Sequence, residues 1–134
     1  MKTLPLRVLI PLSFFIFIIF IIFLADTADH NFAFRLIGHI PYGDKSFHAL
    51  LYGMMALALN YGLNFRQIYL ELEALAPNKT RLKPSVPLGS IIVLIFATIE
   101  ECTQYYIPSR TFDLGDLLAD LVGVILFSFI RSKQ

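Results

Sequence analysis

The chain has 134 residues, 57% apolar and 16% charged, with a mean hydropathy of +0.69. An ordinary soluble domain carries about 45–50% apolar and about 25% charged residues, and a soluble fold of this size has no core large enough to hide the surplus; lipid must take it. Net charge is +1, from 11 Lys and Arg against 10 Asp and Glu, which, with no basic stripe and no Gly-rich phosphate loop, excludes a nucleic-acid partner. The single cysteine, Cys102, excludes an internal disulfide and a cysteine-based zinc site.

In chain order, residues 4–24 are nearly pure Phe, Ile and Leu after Pro11, long enough for the ~20 residues that cross a bilayer. Lys2 and Arg7 would also begin a signal peptide, but its apolar region runs only about 7–15 residues before a small-x-small cleavage site. This run is longer and Ala25-Asp26-Thr27-Ala28 fits the site poorly, so a retained helix is expected. Residues 25–43 alternate polar and aromatic and end in Pro41 and Gly43; they read as a loop, with a short interfacial helix around residues 32–40.

A second span is expected over residues 45–63. Its tail alternates charge and bulk at helical spacing, which extends the helix to about Ala76. Pro77, Pro84 and Pro87 with Lys79, Arg81 and Lys83 mark a basic loop. A third span covers residues 87–106, with Pro in its first turn, where a missing N–H costs nothing, and Pro108 just past its end. The fourth covers residues 113–130, with Asp113 placed to cap it. His30 and His39 read as loop residues, and Met54 and Met55 as lipid-facing or packing groups. The fold class is an all-α membrane protein, a single domain of about four transmembrane helices with no internal repeat.

With four spans both termini share a side. That side holds eight basic residues (Lys2, Arg7, Arg66, Lys79, Arg81, Lys83, Arg131, Lys133) against three (Arg35, Lys45, Arg110) on the other, which places both termini in the cytoplasm.

This topology gathers the ionisable groups. Lys45, His48 and Tyr52 recur at i, i+3, i+7 and share a stripe about 60° wide at the start of the second helix. Asp113, Asp116 and Asp120 repeat that spacing at the start of the fourth, and Glu100, Glu101 and Gln104 close the third. Asp44 and Arg110 flank the set. All of them fall toward the outer face, and Lys45 and His48 are expected to approach Glu101 and Asp116. Charged groups near a membrane centre cost about 2.5–3.5 kcal/mol on insertion scales, so they are either interhelical glue or a functional pocket. Six carboxylates against two fixed cations and His48 favour protonation or a bound cation. One histidine is too few to assign a metal, and no cofactor is implied.

Asp44-Lys45-x-x-His48-x-x-x-Tyr52, Glu101-x-x-Gln104-x-x-x-Pro108-x-Arg110 and Asp116-x-x-x-Asp120-x-x-Gly123, in this order, resemble the VanZ-like family of small bacterial membrane proteins. The likeness spans residues 44–123. It implies a multi-pass protein of the bacterial cytoplasmic membrane, in a family whose named member is associated with resistance to the glycopeptide teicoplanin. The family usually has Asn where this chain has Asp120, which adds a charge inside the cluster. Beyond the lipid bilayer, the expected partner is a cell-wall precursor, a lipid-linked molecule or a glycopeptide, bound in an outward-facing pocket; an oligomer is compatible. The competing expectation is an intramembrane hydrolase or transferase. There Glu101 or His48 serves as general base, and Lys45 or Arg110 holds the developing anion.

Overall fold

The structure, a computed structural model, describes residues 5–27, 39–69, 85–108 and 110–130. Among the described residues it is mostly helical, with one two-stranded ladder: α1 (Leu6–Thr27), α2 (Gly43–Gly62), β1 (Gln67–Tyr69), β2 (Ser85–Pro87), α3 (Leu88–Gln104) and α4 (Leu114–Ser128). The expected helix at residues 32–40 and the basic loop at residues 77–84 lie largely outside the described residues; residues 39 and 40 form a turn and a bend.

α2 is the central element. It packs against all three other helices, most extensively against α4, and α3 packs against α2 and α4. The α2–α4 crossing is close because its residues are small. A Cβ on Gly123 would collide with the Ala49 backbone, and one on Gly53 would come within 2.9 Å of the Gly123 carbonyl oxygen. Small residues let helix backbones approach where lipid supplies no hydrophobic drive to association. The core of Ile18, Tyr52, Met55, Ala56, Val93, Ala97 and Val124 fills the space between the helices. α1 joins this core through one buried residue, Ile18, and a tight seat at its start. Pro11 cannot donate to the Arg7 carbonyl, and Gly62 packs there, where a Cβ would lie 2.8 Å from that oxygen.

The outer surface is apolar. On α1, Leu6 is 63% exposed, Ile16 60% and Phe23 60%, while Ile95, Leu118 and Leu126 present the same character on α3 and α4. Among the described residues one helix is long and apolar enough to cross a membrane: Leu6–Asp26, with a mean hydropathy of 3.1 and 6% of its span buried inside the protein. Its low burial distinguishes it from the core helix of a soluble domain. α3 has 17 residues and α4 has 15, shorter than expected, and at about 1.5 Å per residue each falls short of a ~30 Å hydrocarbon layer.

The helical extension of α2 toward Ala76 does not form. Asn64 and Phe65 adopt the left-handed region, with φ of 53° and 51°, and Phe65 N–H closes onto the Asn60 carbonyl at 2.7 Å. The chain reverses into β1, which pairs antiparallel with β2 in the register Gln67↔Pro87. Residues 70–76 lie outside the described residues. Pro87 ends β2 and is the N-cap of α3, one residue before the first turn.

Candidate functional site

The starts of α2 and α4 and the ends of α1 and α3 meet at one end of the bundle, and every ionisable residue expected there is brought to it. Lys45, in the first turn of α2, reaches across to α4. Its Nζ donates to Asp113 Oδ2 at 2.6 Å and to Asp116 Oδ1 at 2.9 Å. The path is open because residue 115 is glycine; a Cβ there would lie 2.7 Å from Nζ. Asp113 also caps α4 as expected, its Oδ1 accepting the Gly115 N–H at 2.7 Å.

His48 sits one turn deeper and is largely buried. Lys45 meets Asp116 as expected; His48 comes near Asp116, within 4.8 Å, but its hydrogen bond goes to a carboxylate other than Glu101 or Asp116. Its Nδ1 lies 3.1 Å from Asp120 Oδ1. Asp120 is wholly buried, and its second oxygen, Oδ2, has no hydrogen-bond partner among the described residues. The His48 ring stacks on Tyr52 at 6.0 Å, and the Tyr52 hydroxyl donates to Glu100 Oε2 at 3.3 Å.

The end of α3 is tied by Gln104. Its Nε2 donates to Glu100 Oε1 at 2.9 Å and to Glu101 Oε2 at 3.1 Å, while its Oε1 accepts from Arg110 Nε at 3.2 Å. The remaining oxygen of Glu101 accepts the backbone N–H of Asp113 at 2.7 Å. Glu101 is therefore fully buried with both oxygens engaged, and it holds the α3–α4 connection in place. That geometry argues against the general-base role expected for it. Its neighbour Glu100 faces the cavity instead.

That cavity, of about 200 Å³, is partly open to the surface. Its polar wall is made by Asp44, His48, Tyr52, Glu100, Gln104, Arg110 and Asp116, with Thr111 at the connection and Ile18, Ile21, Ile22 and Ala25 of α1 opposite. Ligand atoms of Asp44, His48 and Asp116 all lie within 4.8 Å of one another, a grouping of cation-binding chemistry that the count of histidines did not suggest. Lys45, Glu101, Asp113 and Asp120 stand behind the wall as its supports.

Two contributions were not read from the sequence. The apolar α1 supplies a wall of the cavity, and its uniform Phe, Ile and Leu give no sign of which face turns inward. At the opposite end a second polar knot is buried: Asn60 Nδ2 donates to Ser90 Oγ at 2.8 Å, Ser90 N–H returns to Asn60 Oδ1 at 3.1 Å, and Ser90 and Ser128 hydroxyls lie 2.6 Å apart. A lone Asn inside the apolar stretch of α2 was the available signal. Comparison of the chain with family models, with curated proteins and with solved structures finds no match.

Proposed function

We propose that this chain is a VanZ-like integral membrane protein of the bacterial cytoplasmic membrane, a four-span bundle with both termini in the cytoplasm. Its polar cavity opens to the outer face and binds a cell-envelope ligand: a cell-wall precursor, a lipid-linked molecule or a glycopeptide. The distribution of side chains supports the membrane part. Glu101, Asp120, Gln104 and Asn60 are buried while large Phe, Ile and Leu residues cover the surface, the reverse of a soluble protein, which rarely exposes so wide an apolar patch. Short spans such as α3 and α4 are accommodated by local bilayer thinning or by flanking residues.

The observation that carries the binding role is the cavity itself. Pure helix glue would leave its polar groups sealed against one another. Here eight polar side chains line an open space, and buried polar groups at membrane depth default to a functional reading. The experiment is complementation of a strain lacking the gene, read as susceptibility to a lipoglycopeptide. Wild type restores tolerance; Glu100→Gln and Arg110→Gln, expressed at wild-type level, do not. Full complementation by both variants would contradict the proposal.

One observation favours a second reading. A buried carboxylate on Nδ1 of a cavity-lining histidine is the arrangement that orients a general base, so His48 with Asp120 supports hydrolase or transferase chemistry in the same cavity, with Arg110 facing the developing anion.

A further inference from the structure

The polar cavity brings together three ligating side chains from two helices. Asp44 and His48 are one turn apart on α2, and Asp116 comes across from α4, with one ligand atom of each inside a 4.8 Å span. Three ligands about 2.1 Å from a common ion stand about 3.4–3.6 Å apart, so closing on a metal asks each ligand atom to move by less than about 1 Å.

The surroundings point independently to a cation. Lys45 is spent on Asp113 and Asp116, which leaves, among the described residues, Arg110, held through Nε by the neutral Gln104, as the fixed cation facing Asp44, Glu100, Glu101 and Asp120. Asp120 is wholly buried against His48 with Oδ2 unpartnered among the described residues, and Glu100 faces the cavity. This excess of anionic oxygen at membrane depth has too few cations among the described residues to balance it. The Asp120–His48 contact also has the form of a carboxylate–histidine–metal relay: a carboxylate holds one ring nitrogen, fixes the tautomer and turns the other nitrogen to the ion. Asp120 takes Nδ1, which leaves Nε2 as the ligand.

We propose that Asp44, His48 and Asp116 form a site for a divalent transition-metal ion, of the Zn²⁺ or Mn²⁺ type, with Asp120 positioning His48. A mixed imidazole and carboxylate set suits these ions better than Ca²⁺ or Mg²⁺, which favour oxygen alone. Three protein ligands leave coordination positions open, as in zinc sites that exchange water for substrate. The cavity of about 200 Å³ exceeds the ~30 Å³ share of one water and leaves room for such a group beside Arg110. The inference rests on the cavity being a binding pocket. It displaces His48 as general base, because a metal-bound Nε2 cannot accept a proton.

The test is calorimetric titration of the purified full chain in detergent, stripped with chelator and then given ZnCl₂ or MnCl₂ alone. One ion per chain binds with a Kd in the micromolar range or below. Asp44→Asn, His48→Gln and Asp116→Asn each weaken it at least tenfold. Asp120→Asn, which touches no ion, weakens it about 10–100-fold, the range for outer partners of metal ligands. Asp44 is exposed, so Asp44→Asn carries the test if the buried variants fail to fold. Absence of binding by wild type below about 100 µM, or wild-type affinity in Asp44→Asn, overturns the metal site. Labelling of a Thr111→Cys variant in a Cys102→Ser background from outside reads the open pocket without metal, so a labelled but metal-free protein refutes this inference and leaves the pocket standing.

Discussion

Glu100 and Glu101 are adjacent, buried and chemically identical, yet the same substitution to Gln should destabilise at one position and be nearly neutral at the other. At Glu101 the incoming amide oxygen can still accept the Asp113 N–H, but its NH₂ group meets the NH₂ of Gln104. Gln104 cannot turn to relieve the clash, because its Oε1 is held by Arg110 at 3.2 Å. One donor is left unpaired in a wholly buried place. Membrane double-mutant cycles average ~0.6 kcal/mol per interhelical bond with a maximum near 1.7, and unpaired donors in soluble proteins cost about 1–3 kcal/mol. Glu101→Gln should therefore destabilise by about 1 kcal/mol, and Glu101→Ala by about twice that, since the Asp113 N–H is lost as well. At Glu100 the new oxygen keeps the Gln104 bond of 2.9 Å, and the new NH₂ can donate to the Tyr52 hydroxyl, which simply reverses its role. Glu100→Gln should stay within about 0.5 kcal/mol of wild type, the spread of a substitution that breaks no named contact. The assay is reversible unfolding in mixed detergent followed by far-UV dichroism. Equal destabilisation by the two variants, or a neutral Glu101→Gln, would refute the assignment of Glu101 to support and Glu100 to the pocket.

Gly123→Ala places a Cβ into the Ala49 backbone and should cost about 1–3 kcal/mol, the range for overpacking, in the same unfolding assay. Asn60→Ala removes both contacts to Ser90 and should cost about 1–2 kcal/mol on membrane hydrogen-bond figures, without altering metal or ligand binding at the other end. Reporter fusions after Gln134 and within residues 78–84 should behave as cytoplasmic, following the eight-to-three distribution of Lys and Arg.

The spacing of Lys45, His48 and Tyr52 against that of Asp113, Asp116 and Asp120 was enough to bring α2 and α4 face to face, because i, i+3, i+7 places side chains on one stripe whatever surrounds them. The Lys45–Asp116 pair was legible, but the acid that bonds His48 was not. A stripe specifies a face but not the rotation or depth of the helix, and the small residues Ala49, Gly53 and Gly123 let α4 slide close enough for His48 to reach Asp120 instead of Glu101. The end of α2 was misread for another reason. The periodicity of residues 64–76 is helical, but Asn64 and Phe65 turn left-handed and the strand pairing with residues 85–87 overrides local preference. α1 was legible as a helix long and apolar enough to cross a membrane and illegible as a pocket wall, since a segment apolar on every side has no preferred face.

The claim on which all else depends is that the polar end of this bundle is a water-filled pocket on the outer side of a membrane. Single cysteines placed in a Cys102→Ser background and exposed to a membrane-impermeant maleimide on intact spheroplasts test it directly. Thr111→Cys and Leu51→Cys, both on the cavity wall, should label from outside. Phe20→Cys and Leu118→Cys, 54% and 61% exposed at the native residues but facing lipid, should stay unlabelled, and Tyr69→Cys should label only after lysis. Labelling of Phe20→Cys and Leu118→Cys in intact cells, or of the cavity positions only after lysis or not at all, would contradict the account.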